Sequence, residues 1–181
     1  MMKRHTRAMA EVLVESLGGP PARGAEVGVW DGDNAAGLLR TFPDLRLWMI
    51  DAWRAEGWAE GFADNRLGKK SQEDFEAAMC RAAACTAFAQ RRRFLVREWS
   101  AAAATRFPAG DFDFVFLDGD HTYEGISADI AAWLPKVRPG GVLCGHDYKE
   151  KWGCGVVRAV NEAFAGRFQF RRYSMIWWVI V

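Results

Sequence analysis

Short apolar runs alternate along this chain with longer segments in which apolar residues recur every three or four positions. Runs of about four to eight residues are typical of buried β-strands, and the three-to-four spacing is typical of amphipathic helices. A first helix is predicted within residues 1–20, before a Gly-Gly-Pro-Pro stop. The predicted strands are 26–30, 45–51, 94–97, 112–118 and 142–147, and the helices that follow them end near 40, 90, 106, 137 and 164.

The chain ends in two β-rich runs, 168–173 and 175–181, with one residue between them. So short a link makes the two strands antiparallel neighbours, because a parallel pair needs a long crossover. The nearly continuous apolar run at 112–118 indicates a strand buried on both faces, as in a parallel sheet. The pattern predicts one α/β domain over 1–181: a doubly wound, mostly parallel seven-stranded sheet with a C-terminal antiparallel hairpin.

Residues 52–70 interrupt this alternation. They are rich in Gly, Trp and charged residues and have weak periodicity, so we interpret them as an irregular insertion or a lid over a site. The helix after them is expected to begin with capping chemistry at Ser71-Gln72-Glu73-Asp74. Three arginines at 91–93 are interpreted as a solvated turn before the next strand.

Charge and composition exclude several classes of function. Lys and Arg number 24 against 23 Asp and Glu, and this balance gives no electrostatic footprint for nucleic acid or an anionic membrane. The longest apolar run, Met175–Val181, is too short to cross a bilayer. Near the N-terminus, Glu11 and Glu15 interrupt the stretch that would have to be the apolar region of a signal peptide, so export is not expected. The four cysteines have no C-x-x-C spacing, so reduced thiols in a cytoplasmic protein are expected.

A glycine turn follows the first predicted strand. Gly28 is expected to let a ligand lie close to the backbone, and Gly32 to permit the tight turn before a helix. Strand, glycine turn and helix together form an arrangement that receives a ligand's negative group. Trp30 and Asp31 break the G-x-G-x-x-G pattern of dinucleotide-binding folds.

Acids stand at the carboxyl ends of four predicted strands, where a doubly wound sheet binds its ligand. The residues at these ends are Asp31-Gly32, Asp51, Asp118-Gly119-Asp120-His121 and His146-Asp147. Asp51 is placed to accept hydrogen bonds from ribose hydroxyls. Asp118 and Asp120 lie two residues apart, so both carboxylates are expected to face one cavity, where they share a proton or bind a cation. The alternative is that one of them caps the next helix.

These segments resemble the class I S-adenosylmethionine-dependent methyltransferases. The likeness covers residues 24–181 and is most specific in a small stand-alone branch with a "DGDH-x-YE…RPGG…GHDY" signature. The matching segments are Glu26-x-Gly28-x-x-x-Gly32, Asp51, Asp118-Gly119-Asp120-His121-Thr122-Tyr123-Glu124-Gly125 and Arg138-Pro139-Gly140-Gly141-Val142-Leu143-Cys144-Gly145-His146-Asp147-Tyr148. Trp30 stands where many members have glycine, and the C-terminal hairpin fits the family's seventh strand.

The resemblance implies S-adenosylmethionine as cofactor. The cofactor-binding residues it implies are Glu26, Gly28, Val29, Trp30, Gly32, Asn34, Asp51, Ala52, Trp53, Trp99, Ser100 and Asp118. Of these, Gly28, Trp30, Gly32 and Asn34 line the methionine end, Ala52 and Trp53 lie beside the adenosine, and Trp99 and Ser100 flank the adenine. Catechol-type relatives bind a divalent cation through acids at the fourth and fifth strand ends. Asp118 and Asp147 match these places for Mg²⁺, and Tyr148 stands where an Asn often completes the site.

The implied reaction is methyl transfer to a small molecule, at a hydroxyl of a sugar or phenol. In-line attack needs the nucleophile held about 3–3.5 Å from the methyl group, and a hydroxyl must also lose its proton. The catalytic candidates are Asp118, Asp120, His121 and His146. The Trp-rich terminal strands offer a surface for a homodimer.

Three alternatives stay open from the residues. The first is a nicotinamide-dependent oxidoreductase, against which stand the missing third glycine and the absence of a Tyr-x-x-x-Lys pair. The second is a non-catalytic nucleotide-binding module on the same fold. The third is a metal-dependent hydrolase that uses Asp118, Asp120, His121 and Asp147.

Overall fold

A computed structural model describes residues 3–57, 69–149 and 155–181. Thirteen helices and strands alternate along these residues. The helices are α1 Arg4–Leu17, α2 Asp33–Thr41, α3 Gln72–Cys85, α4 Ser100–Ala104, α5 Tyr123–Trp133 and α6 Val156–Phe164. The strands are β1 Arg23–Val27, β2 Arg46–Asp51, β3 Arg93–Arg97, β4 Phe112–Leu117, β5 Val137–Gly145, β6 Gln169–Arg171 and β7 Ile176–Ile180.

The strands form one sheet in the order β3-β2-β1-β4-β5-β7-β6. The first five are parallel, and β7 is antiparallel to both β5 and β6. Because β1 lies between β2 and β4, with Val27 beside both Ile50 and Leu117, three strand ends meet at one edge. This confirms the predicted doubly wound sheet with its antiparallel hairpin, and it brings the predicted acids together.

Two apolar layers cover the sheet. Side chains of α1, α2 and α3 pack on one face, around Leu13, Leu38 and Phe75. Side chains of α4, α5 and α6 pack on the other, around Ile126, Trp133 and Val160. Burial on both faces explains why the strands, including 112–118, have nearly continuous apolar sequences.

Several predicted element bounds were wrong for identifiable reasons. The first strand ends at Val27 instead of residue 30, because Gly28 and Trp30 have φ of 87° and 51° and leave the strand conformation. The fifth strand, predicted over 142–147, begins at Val137 and ends at Gly145, and it bulges against β4 around Asp113. The helix predicted to residue 90 ends at Cys85 and is followed by one 3-10 turn, Ala87–Ala89.

The predicted lid over 52–70 lies mostly outside the described residues, because 58–68 fall in a gap. The helix after it begins as predicted. Ser71 accepts a hydrogen bond from the Asp74 backbone N–H, and the Asp74 side chain accepts one from Ser71, which forms a capping box.

The terminal tryptophans are part of the chain's own core. Trp177 is fully buried and Trp178 is 7% exposed, so the rings on which the expected homodimer surface depended are covered within one chain. Among the described residues, no helix combines the length and the apolar character that a membrane crossing requires.

Candidate active site

The glycine turn after β1 is shaped by the protein's own packing. A Cβ on Gly28 would lie 2.3 Å from the Asp118 carbonyl oxygen, and one on Gly32 would lie 2.7 Å from Ala82 Cα on α3. Both glycines also have positive φ, 87° and 80°. The chain that leaves β4 therefore passes so close to Gly28 that a side chain at this position does not fit.

Asp51, at the end of β2, fixes the loop after β1. Its Oδ2 accepts a hydrogen bond from the Trp30 backbone N–H at 2.9 Å, and its Oδ1 accepts one from the Trp53 N–H at 2.8 Å. The Trp53 ring Nε1 in turn donates to the Trp30 carbonyl at 2.9 Å. Trp53 is fully buried in the α1–α3 layer.

A cleft of about 200 Å³ opens beside Asp51, between the ends of β1 and β2 and the first turns of α4 and α5. Six of the predicted residues line it: Gly28, Asp51, Ala52, Trp99, Ser100 and Asp120. The remaining lining residues are Val27, Ile50, Gly57, Glu98, Ala101, Gly119, Gly125, Ala128 and Asp129. The other predicted cofactor-binding residues lie outside this wall: Glu26, Val29, Trp30, Gly32, Asn34, Trp53 and Asp118.

The wall of the cleft is acidic. Four carboxyl side chains line it, Asp51, Glu98, Asp120 and Asp129, and its described lining residues include no Lys, Arg or His. A phosphorylated nucleotide normally meets cationic side chains or a bundle of backbone N–H groups. The charge of this wall favours a nucleoside without phosphate groups.

Asp129 is a site residue that the sequence analysis missed. It lies on α5 with 6% of its surface exposed and accepts a hydrogen bond from the Ser100 hydroxyl. Ser100 in turn accepts a hydrogen bond from Trp133 Nε1 at 2.9 Å. The signal was present in the sequence, because position 129 falls on the apolar face formed by Ile126, Ile130 and Trp133.

Glu26 lies on β1 and is 1% exposed. One carboxylate oxygen accepts from Asn34 Nδ2 at 3.2 Å, while Glu26 Oε2 and Asn34 Oδ1 have no hydrogen-bond partner among the described residues. Burial raises the pKa of Glu26 to about 8; the hydrogen bond from Asn34 opposes this shift, and the charges of Asp118 and Asp51 add to it. Two buried side-chain oxygens without a described partner are atoms that a hydrogen-bonding group of a ligand can satisfy.

The raised pKa of Glu26 predicts that the free energy of unfolding decreases as the pH rises. Between about pH 4.5 and 8 the folded state holds the Glu26 proton more tightly than the unfolded state, so its contribution is lost as the pH rises. Glu26→Gln removes this dependence. Relative to the unsubstituted protein, we expect the variant to gain on the order of 4 kcal/mol between pH 4.5 and 8.5, at about 1.4 kcal/mol per pKa unit.

Urea unfolding at both pH values measures this gain without any ligand. The exposed acid Glu124 supplies the matched control, since Glu124→Gln removes a carboxyl that is not buried. An equal pH dependence in the Glu26→Gln variant and the unsubstituted protein contradicts the assignment of a buried, protonated Glu26.

All three histidines of the chain meet at the ends of β4 and β5. His121 Nε2 lies 3.2 Å from Asp118 Oδ1, and His121 Nδ1 lies 3.5 Å from Asp147 Oδ2. His146 Nδ1 lies 3.5 Å from the same oxygen of Asp118. His5, on α1, packs its ring 5.0 Å from that of His146, a contact that no sequence signal indicated.

The charges in this cluster support one another. Burial alone raises the pKa of Asp118, but the hydrogen bonds with His121 and His146 outweigh it and hold that pKa well below its usual range. Burial lowers the pKa of His121, and the hydrogen bond and charge of Asp118 then raise it above the ordinary value. The cluster thus pairs an ionised carboxylate with imidazoles of increased basicity, a pairing suited to proton transfer.

Thr122 caps α5, and Asp120 fixes the turn just before that cap. Its Oδ1 accepts a hydrogen bond from the Thr122 backbone N–H at 2.9 Å, and Thr122 accepts one from the Gly125 N–H at 3.0 Å. A Cβ on Gly125 would lie 2.4 Å from the Asp120 Cγ, so the acid is packed against the first turn of α5. The alternative in which an acid of this segment caps the helix is therefore wrong for Asp120, which lines the cleft.

Asp118, His121 and Asp147 each present a ligand atom within 4.8 Å of the others, and this set suits a metal ion. The structure therefore brings together the two predicted acids and adds an imidazole. Tyr148, in the place of the usual third ligand, packs its ring on Phe168 and Phe170 instead.

Residues 25–148 of the chain match the family model described as "Methyltransferase domain". One curated relative, an uncharacterised protein of Acanthamoeba polyphaga mimivirus, is 35% identical over 63 residues. That match covers 34% of this chain and 28% of the relative.

Solved structures share the fold at low sequence identity. A protein from Corynebacterium glutamicum has a TM-score of 0.63 at 14% identity, covering 96% of this chain and 80% of that one. A TDP-rhamnose 3′-O-methyltransferase of calicheamicin biosynthesis has a TM-score of 0.58 at 15% identity, covering 99% and 81%. A candidate caffeoyl-CoA O-methyltransferase from Staphylococcus aureus has a TM-score of 0.65 at 11% identity, covering 98% and 83%.

Proposed function

The chain belongs to the Methyltransferase domain family, and from this membership we propose that it transfers a methyl group from S-adenosylmethionine to a hydroxyl of a small molecule. The observation that carries the proposal is the cleft at the ends of β1 and β2. It has Asp51 at the end of β2 and a wall with four acids and no described basic side chain. Such a wall suits an unphosphorylated nucleoside better than NAD, whose pyrophosphate is anionic.

The nucleoside part of the cofactor fits the residues around Asp51. Each Asp51 oxygen accepts one backbone N–H and keeps lone-pair capacity for a further donor, such as a ribose hydroxyl. Trp99 and Ala52 line the same cleft and offer apolar surface to the base. Asp51 has two functions in this assignment, since it fixes the loop and receives the ribose.

We assign the amino-acid part of the cofactor to the buried oxygens of Glu26 and Asn34. Glu26 Oε2 and Asn34 Oδ1 have no partner among the described residues, and an ammonium group supplies the donors they lack. Glu26 is also influenced by the charges of Asp51 and Asp118, so three acids surround the place of a doubly cationic ligand region. When bound, S-adenosylmethionine supplies a methyl group on a sulfonium.

The acceptor hydroxyl needs a base, and His121 is the residue we assign to that role. Its pKa is raised by Asp118, which gives it the basicity to take a hydroxyl proton near neutral pH. Asp118 holds Nε2 of the ring, and Nδ1 is the nitrogen we assign to take the proton; Asp147, 3.5 Å from Nδ1, then stabilises the imidazolium that forms. His5 and His146 pack their rings together on the side of this cluster next to α1.

The same cluster offers a second route to deprotonation. Asp118, His121 and Asp147 would hold a divalent cation, and a bound cation lowers the pKa of a coordinated hydroxyl. An imidazole among the ligands favours Mn²⁺ or Zn²⁺ over Mg²⁺, which prefers oxygen ligands alone. A small-molecule acceptor is proposed because the chain has a net charge of +1 and lacks the excess of basic residues that nucleic acid binding needs.

The experiment that tests this function is a turnover assay. Purified protein is incubated with radiolabelled S-adenosylmethionine and a panel of sugar and phenol acceptors, with and without EDTA, and formation of S-adenosylhomocysteine is measured. We expect acceptor-dependent turnover with a matching labelled ether product. Turnover that persists in EDTA assigns deprotonation to His121, and turnover restored by Mn²⁺ after EDTA assigns it to the cation. Hydride transfer from NADH without use of S-adenosylmethionine contradicts the proposal.

A further inference from the structure

Lys149 brings an ammonium group to the metal-type cluster of Asp118, His121 and Asp147. Its Nζ lies 2.7 Å from Asp147 Oδ1, while Asp147 Oδ2 lies 3.5 Å from His121 Nδ1. The oxygen that Lys149 contacts also lies 3.6 Å from His146 Nδ1. Each carboxylate oxygen of Asp147, one of the three candidate ligands, therefore already faces a nitrogen of the chain itself.

The backbone after β5 holds Lys149 in this position. The Lys149 N–H donates to the Asp147 carbonyl at 2.8 Å, and the Tyr148 N–H between them donates to the Met175 carbonyl at 3.0 Å. Asp147 has a φ of 55°, in the left-handed region that Asp adopts more readily than most residues. The side chains of Lys149 and Asp147 are 26% and 19% exposed, so solvent screens their ion pair less than it would on an open surface.

A divalent cation in the cluster would compete with this ammonium group for Asp147. Two cations that share one carboxylate repel each other, and the repulsion grows where solvent screens it little. The cation would also need a ring nitrogen of His121 without its proton, because only the neutral imidazole is a ligand. Tyr148, the residue after Asp147, donates its hydroxyl to Asn161 on α6 at 3.2 Å, so its oxygen is engaged outside the cluster.

We propose that Lys149 is an internal counter-ion of Asp147 and thereby weakens the binding of divalent cations to the cluster. The consequence for catalysis rests on the proposed function: with the cation disfavoured, His121 takes the acceptor proton, and wild-type turnover persists in EDTA. Lys149 is then a positioning residue, because it keeps the Asp147 carboxylate beside His121. Cation binding itself does not depend on methyl transfer and is measured on the protein alone.

The test is Mn²⁺ binding at neutral pH, measured by electron paramagnetic resonance without cofactor. Lys149→Met removes the charge and keeps an unbranched side chain. We expect this variant to bind Mn²⁺ about tenfold more tightly than the wild type, and Lys149→Arg to bind it as weakly as the wild type. Lys149→Gln, a second uncharged variant, is expected to show the same gain. Adding Asp147→Asn to Lys149→Met is expected to abolish it, which locates the ion in the cluster.

Lys136→Met provides the matched control, because it removes the same charge just before the other end of β5, where the ammonium group donates to the Phe107 carbonyl at 2.8 Å. An equal gain in Lys136→Met, or equal Mn²⁺ affinities of the wild type and both uncharged Lys149 variants, overturns the inference. Wild-type turnover that stops in EDTA and returns with Mn²⁺ also overturns it and leaves the proposed function intact. If no acceptor is methylated, the proposed function fails, and the Mn²⁺ comparison still decides the role of Lys149.

Discussion

Replacing Asp118 with asparagine is expected to lower kcat by roughly 10²- to 10⁴-fold, with a much smaller change in the affinity for S-adenosylhomocysteine. Asp118 Oδ1 lies 3.2 Å from His121 Nε2 and 3.5 Å from His146 Nδ1, so one oxygen orients two imidazoles. Its hydrogen bond, and then its charge, raise the pKa of His121 against the effect of burial. Without it the base is less basic and loses one of the two acids that fix its ring.

The measurement is a steady-state comparison of Asp118→Asn, His121→Ala and the double variant. If Asp118 acts through His121, the double variant is no slower than His121→Ala alone. The matched control is Asp111→Asn. Asp111 lies just before the first residue of β4, at the end of the strand away from Asp118, and forms an ion pair with Arg23 at 2.6 Å. Losses that multiply in the double variant show that the two residues act independently and contradict this coupling.

Replacing Asp51 with asparagine is expected to weaken S-adenosylhomocysteine binding by about 100-fold. The substitution removes a carboxylate that we assign to the ribose. It also replaces one of the two oxygens that accept the Trp30 and Trp53 backbone N–H groups with a donor. Loss of the ribose contact and disturbance of the loop both weaken binding, so the size of the decrease in affinity alone does not separate the two effects.

A ligand comparison separates these effects. The wild type is expected to bind adenosine more tightly than 2′,3′-dideoxyadenosine, and Asp51→Asn is expected to bind both equally, because the ribose contact is the one that differs. Asp113→Asn is the matched control. Asp113 likewise accepts two backbone N–H groups, from Ala22 and Arg23, at the opposite end of the sheet. An undiminished preference for adenosine in Asp51→Asn excludes a direct contact with the ribose.

The sheet and the acids at its carboxyl edge could be predicted because both follow from local sequence. Apolar runs define strands buried on two faces, and the one-residue link before Met175 requires an antiparallel hairpin. Once the strands are parallel, Asp51, Asp118 and Asp147 necessarily lie at the same edge. The structure bears out this part of the analysis.

Other features of the site depend on contacts between distant segments, and local patterns do not show them. Gly28 is required by the approach of residue 118, which is 90 positions away. His5 reaches His146 only because α1 packs near the end of β5. The burial of Trp53 likewise follows from its hydrogen bond to the Trp30 carbonyl, made possible by two residues with positive φ.

Asp129 could be predicted only in part. The helical spacing indicates that it lies on a buried face, but the sequence gives no reason for a carboxyl group there. Its partner Ser100 is 29 positions earlier and begins α4. Only the packing of α4 against α5 beside the cleft shows the relation between the two residues. A polar residue at an apolar position of a predicted helix is thus a useful signal for a site.

The measurement that tests the central claim most directly is a crystal structure with S-adenosylhomocysteine bound. The account predicts the ribose hydroxyls at the Asp51 carboxylate, the base in the cleft beside Trp99 and Asp129, and the ammonium group at Glu26 and Asn34. The thioether sulfur then faces the cluster of Asp118 and His121. S-adenosylhomocysteine found away from the ends of β1 and β2, with the acidic cleft empty, would contradict it.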